Sequence, residues 1–161
     1  MSALLSDCRQ YRYKLYRDVD IAGDKVIAYF GINPSTADES IDDATVRKWR
    51  GFSERNNGTR FIVANVFAYR ATDVNELAET SNPEGPDNKR HVLDVINEAD
   101  ILVPCWGSRG KIPKSLHYKL DDFLKLLTDS GKPVLCLGKT KSGDPKHPLM
   151  LGYDTALVKW D

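Results

Sequence analysis

Four apolar runs in this chain each break off into polar or turn-forming residues, and amphipathic segments separate them. Residues 25–30 lead into Gly31-Ile32-Asn33-Pro34-Ser35, and residues 61–64 lead into Asn65-Val66-Phe67-Ala68-Tyr69-Arg70. Residues 101–103 precede Cys105-Trp106-Gly107-Ser108-Arg109, and residues 134–137 precede a Gly- and Lys-rich loop running from Gly138 to Pro148. Runs this short, rich in aliphatic and aromatic residues, read as strands. The segments between them read as helices. One follows Asp42-Asp43 and carries Val46, Trp49 and Phe52 on one face until Asn57-Gly58 closes it. A short helix capped by Asp73 runs through Leu77. Another opens at Asp87 and carries Val92, Leu93, Val95 and Ile96. The last spans residues 113–128, with Leu116, Leu120, Phe123, Leu124 and Leu127 on one face, and stops at Gly131-Lys132-Pro133. This alternation predicts an α/β fold, a three-layer α/β/α sandwich with a mainly parallel central sheet.

Residues 11–16, strand-like and aromatic, are expected to pair with residues 25–30 as an antiparallel hairpin across Gly23-Asp24, and residues 155–160 supply a last strand. With 161 residues the chain fits one domain, residues 1–161. Lys plus Arg balance Asp plus Glu at 23 against 23, so there is no global pull toward nucleic acid, only local patches. Basic Arg9, Arg12, Lys14 and Arg17 interleave with tyrosines, acidic Asp38, Glu39, Asp42 and Asp43 follow, and Lys139, Lys141 and Lys146 form a later basic loop. The cysteines Cys8, Cys105 and Cys136 have no zinc or iron–sulfur spacing, and the last two read as buried thiols. Neither Gly-x-Gly-x-x-Gly nor a P-loop is present, and neither metal nor cofactor is expected. No apolar run approaches the ~20 residues that span a bilayer, and the start of the chain lacks a signal-type core. A cytoplasmic protein with no membrane contact is the expectation.

In a parallel sheet the carboxyl ends of the strands share one edge, where ligands bind. Gly31 permits a tight turn, Pro34 biases Asn33 toward an extended backbone, and the Asn33 amide then stands at a strand exit. An ordinary Asn-Pro turn explains the same residues. Asn65, at the next exit, offers a donor and an acceptor side by side for the edge of a base. Phe67 and Tyr69 beyond it are candidates for stacking, with a core position as the alternative for Phe67. His147 sits in the basic loop, where it either donates to a developing anion or lies on the surface. Lys139, Lys141 and Lys146, with the loop's backbone N–H groups, are candidates for holding phosphates. Asp42 and Asp43 read as helix caps, with metal binding or acid–base chemistry as the alternative, and His91 and His117 as structural or surface residues.

Taken in order, these elements resemble the uracil-DNA glycosylase superfamily over roughly residues 25–151. Gly31-Ile32-Asn33-Pro34 resembles the first motif of its mismatch-specific branch, Asn65 the residue that reads the pyrimidine edge, Cys105-Trp106-Gly107-Ser108 a strand-end segment found in several members, and His147-Pro148-Leu149 the start of the second motif. The resemblance implies that fold and a DNA partner; the sequence leaves the oligomeric state open, with a monomer favoured. It also implies hydrolysis of the N-glycosidic bond of uracil or of a damaged or modified pyrimidine, with Asn33 placing water and His147 stabilising the departing base. Gly31, Ile32, Pro34, Ser35, Trp106 and Gly107 would then line the substrate, and Leu149 would touch the DNA. The chain departs from the motif in continuing Leu149-Met150-Leu151, without a Ser-Pro element. Over most of its length it is also similar to an uncharacterised family of small bacterial and phage proteins, through Asn-Pro-Ser-Thr-Ala-Asp at Asn33 to Asp38, Ala-Tyr-Arg-Ala-Thr-Asp at Ala68 to Asp73 and Gly-Pro-Asp-Asn at Gly85 to Asn88. That similarity adds Arg70 and Asp73 to the site region. Two other functions remain open: a non-catalytic module that binds nucleic acid or a nucleotide, and a hydrolase of free nucleosides or nucleotides.

Overall fold

Side-chain alternation along the apolar runs builds two cores, one on each face of a sheet. The computed structural model describes residues 2–19, 22–34 and 42–161. Strands β1 (Ser2–Leu5), β2 (Arg12–Asp18), β3 (Lys25–Gly31), β4 (Gly58–Asn65) and β5 (Ile101–Pro104) lie in the order β1-β2-β4-β3-β5. The helices described are α1 (Ala44–Arg55), α2 (Glu76–Glu79), α3 (Asn88–Glu98) and α4 (His117–Thr128). Ile27, Tyr29, Phe61, Val63 and Val103 pack with Val46 and Trp49 of α1. The intervening Ala28, Phe30, Ile62, Ala64 and Leu102 pack instead with Val92 and Val95 of α3 and with Leu120, Phe123 and Leu127 of α4. Successive strand residues face opposite ways, so a sheet covered by helices on both faces needs apolar residues at both phases.

The sheet is mixed, whereas strand–helix alternation predicted a mainly parallel one. β3 runs parallel to β4 and β5, but β2 is antiparallel to β4 and β1 antiparallel to β2. β1 and β2 precede the first strand–helix–strand unit and are joined by a short turn, and a short turn allows only an antiparallel pair. The hairpin expected between residues 11–16 and 25–30 does not form, because β4 lies between β2 and β3, with Leu15 opposite Val63. The hairpin that does form joins β1 to β2.

The start of α1 follows its local signal. Asp43 Oδ1 accepts the Val46 N–H at 2.9 Å and caps α1. Asp73 instead holds a turn through the Asn75 N–H at 2.9 Å, and α2 begins later, at Glu76. The segment predicted as one helix from 113 divides into a 3-10 turn, Lys114–Leu116, and then α4. β6 (Leu135–Cys136) pairs antiparallel with β7 (Val158–Lys159), and Val134 bridges Leu102 in parallel, so the ribbon extends the sheet past β5. Cys105 and Cys136 are buried free thiols, and burial pushes Cys105 up to about 12. Among the described residues no helix is long and apolar enough to cross a membrane.

Candidate functional site

β3, β4 and β5 are mutually parallel, so Gly31, Asn65 and Pro104 end at one edge. The chain leaves β3 for α1 on one face and leaves β4 and β5 for α3 and α4 on the other. Where neighbouring exits diverge in this way, a crevice opens beyond the strand between them, here β3. Gly31 stands opposite Asn65 in the ladder, and a Cβ placed on Gly31 would lie 2.9 Å from Asn65 Oδ1. The missing side chain is the room that the Asn65 amide occupies. Gly31→Ala is therefore expected to displace that amide and cost about 1–3 kcal/mol. Denaturant unfolding checks this, and an unchanged midpoint would show that Asn65 yields freely.

The crevice contains a cavity of about 240 Å³. At about 30 Å³ per water this is room for about eight waters, enough to admit a single pyrimidine ring with space left over. Gly31, Ile32, Asn33, Asn65, Trp106 and His147 all line it. So do three charged residues that sequence reasoning did not assign there: Arg12, Asp43 and Lys111. Trp49, Val74 and Ile112 complete the apolar part of the wall. Arg12 reaches this edge because β2 is antiparallel to β4, which places the start of β2 beside the end of β4; its backbone N–H reaches the Ala68 carbonyl at 2.9 Å.

The polar groups are held in defined roles. Asn33 Nδ2 donates to the carbonyls of Ala71 at 2.7 Å and Pro34 at 3.1 Å, which spends both its hydrogens and leaves Oδ1 as the acceptor Asn33 can offer. Asn65 is buried, and its main chain is fastened from behind by Asn88, whose Nδ2 donates to the Asn65 carbonyl at 3.0 Å. His147 Nδ1 accepts the Leu149 N–H at 3.2 Å, which places the proton of the neutral ring on Nε2 as a donor. Burial holds the His147 pKa below its ordinary value, Lys111 adds to the effect and Asp43 opposes it, so the ring is neutral near pH 7. Gly107, at φ +82°, lets Lys111 and His147 close in: a Cβ there would lie 3.3 Å from Lys111 Nζ and 3.3 Å from His147 Cβ.

Other expected residues lie elsewhere. Phe67 is fully buried in the α3–α4 core and presents no face for stacking. Tyr69 packs edge-on against Tyr11, and Arg70 reaches the Arg9 carbonyl at 3.4 Å; neither lines the cavity. Pro34 is buried beside it, and Ser35, Asp38 and Glu39 lie outside the described residues. Lys139, Lys141 and Lys146 are exposed and outside the cavity, and Lys139 is engaged by the Asp161 carbonyl and the Trp160 ring. The loop they occupy is no open phosphate cradle, because the N–H groups of Thr140, Gly143 and Lys146 bond back within the loop. Buried Asp144 pins that loop by accepting the Arg109 N–H at 2.8 Å and Arg109 Nε at 3.1 Å, so Arg109 is a strut beneath the His147 loop. Asp42 pairs with Arg17 instead of capping. Leu149 is part-exposed and Met150 almost wholly so, beyond His147. Among the described residues no group of three His, Cys, Asp or Glu side chains is placed to hold a metal ion.

Fold and cavity together define an α/β protein with a polar crevice over the carboxyl ends of its parallel strands. The chain belongs to the family described as protein of unknown function DUF1643, whose model matches residues 12–149. That span contains every residue found lining the crevice. Neither a curated protein nor a solved structure matches the chain.

Proposed function

We propose that this protein is a uracil-DNA glycosylase-like hydrolase that cleaves the N-glycosidic bond of uracil or a modified pyrimidine in DNA. The observation that carries this reading is the meeting of Asn33, Asn65 and His147 on one cavity large enough to admit a pyrimidine. In this mechanism the target nucleotide leaves the stack and its base enters the crevice. Trp49, Trp106 and Ile112 form the apolar wall, and the Asn65 amide meets the base edge. Asn33 Oδ1 accepts a hydrogen bond from the attacking water and places it below the sugar carbon. An amide is a weak base, so positioning and stabilisation of separated charge supply most of the effect. The C1′–N bond breaks and its electron pair leaves with the base. Neutral His147 donates from Nε2 to the base as it becomes anionic, and the Lys111 ammonium stands beside it. Asp43, the acidic residue in the cavity wall, supplies negative charge opposite a sugar that becomes positive. Exposed Leu149 and Met150 just past His147 suit insertion into a duplex where the base has left.

A second reading has its own support. Arg12 and Lys111 in the cavity wall can pair a phosphate, and the zero net charge fits action on a free nucleotide. One assay separates the readings. Duplexes carrying uracil, hydroxymethyl-pyrimidine or glycosylated pyrimidine are incubated with the protein and tested for alkali-labile abasic sites, in parallel with free pyrimidine nucleosides and nucleotides. Abasic sites support the glycosylase, and base release from monomers alone selects the second reading. No product from any substrate overturns both and leaves a binding module.

A further inference from the structure

Two buried donors at the cavity wall meet no acceptor among the described residues: Asn65 Nδ2 and the indole Nε1–H of Trp106. Each residue is 2% exposed. A donor removed from water with nothing to receive it carries the full desolvation penalty, and native proteins seldom leave one so. Trp106 follows β5 and is fixed by an edge-to-face contact with Phe123, the ring centroids 5.9 Å apart and the planes at 85°. The other buried indole, Trp49, spends its N–H on Cys105 Sγ at 3.4 Å. Two unsatisfied donors on one wall, with the His147 N–H and the Lys111 ammonium nearby, describe a site awaiting acceptors.

We propose that Trp106 reads the ligand directly, its indole N–H donating to one oxo group of a pyrimidine whose other oxo edge is held by Asn65. This rests on the base-binding reading of the cavity and adds its selectivity. Dioxo-pyrimidines are favoured, and an exocyclic amine set against Trp106 would oppose donor to donor.

The test uses free uracil and the two mono-oxo pyrimidinones, each lacking one of its oxo groups, titrated into the wild-type protein and into Trp106→Phe. Wild type is expected to bind uracil about tenfold more tightly than either analogue, the difference of about one hydrogen bond. Trp106→Phe is expected to lose about tenfold for uracil and for one analogue while binding the other as wild type does. A second measurement needs no variant. In the wild-type nitrogen–proton spectrum the Trp106 indole signal should move downfield with uracil and not with the analogue lacking its partner, while the signal of Trp160, outside the cavity, stays put. Equal loss for all three ligands, or an unmoved Trp106 signal, overturns the Trp106 role and leaves the base-binding reading standing. Failure of wild type to bind uracil overturns both.

Discussion

Asn33→Ala is expected to lower base excision by about two to three orders of magnitude while changing duplex affinity by less than about threefold. The expectation follows from how the amide is spent. Its two N–H groups hold the Ala71 and Pro34 carbonyls, so the side chain cannot turn, and Oδ1 is the atom left to orient water. A group that positions the nucleophile acts in the transition state more than in binding, so the loss should fall on the rate. Removing the amide also leaves those two carbonyls without their donor, at about 1 kcal/mol for each bond. Unfolding curves for the variant therefore accompany the kinetics. Asn33→Asp separates the roles further. It brings a better base, but a carboxylate cannot donate to Ala71 or Pro34 and would repel both carbonyls. It is expected to unfold more easily than Asn33→Ala and to recover little activity. Single-turnover excision and duplex binding measured on all three proteins check this. An Asn33→Ala protein that excises within a few-fold of wild type would remove Asn33 from the mechanism and leave it as a turn residue.

Much of the crevice was legible in the sequence because of one geometric fact: parallel strands bring their exits to a common edge. That fact alone gathers Gly31, Asn33, Asn65 and Trp106 once the strands are recognised. His147 joins them because Arg109, at the end of the Trp106 exit, clamps the loop that carries it through Asp144. The remainder depended on pairings that no local pattern encodes. Arg12 lies on the wall only because β2 turns antiparallel and docks on β4, a contact between residues far apart in sequence. Asp43 gave a helix-cap signal and does cap α1, but the same carboxylate borders the cavity. Capping and site roles are compatible, and the local signal masks the second. Lys111 comes from a short 3-10 turn with no periodicity to reveal its direction. For Phe67 the sequence left stacking and a core position both open, and long-range packing decides between them: its N–H bonds the Ile32 carbonyl at 2.8 Å and its ring enters the core.

The crevice also depends on a buried charge far from its chemistry, and Asp42→Ala is expected to cost about 3 kcal/mol of stability. Arg17 is fully buried on β2, and its Nε donates to Asp42 Oδ1 at 2.7 Å. Its NH1 also donates to the Tyr16 carbonyl at 2.9 Å and the Ser2 carbonyl at 3.2 Å. These carbonyls solvate the guanidinium but cannot neutralise it, so loss of the carboxylate removes the ion pair that Asp42 makes with a buried charge. Asp42 holds Arg50 as well, at 3.4 Å, which ties the start of α1 to its own second turn and to β2. That start carries Asp43 and Thr45 into the cavity wall, so loosening it should blur the site as well as the fold. For a chain of this length about 3 kcal/mol corresponds to a fall in Tm of about 6–12 °C. Asp42→Asn keeps an acceptor for Arg17 and is expected to lose less. The decisive comparison is the double variant Asp42→Ala with Arg17→Met. Removing both charges should recover part of the stability lost with one, because a buried guanidinium is costly to keep once the Asp42 carboxylate is gone. Thermal and denaturant unfolding of the four proteins reads this out. If the double variant is less stable than Asp42→Ala by the full cost of an independent core substitution, Arg17 is stabilised without Asp42, and α1 is anchored by other contacts.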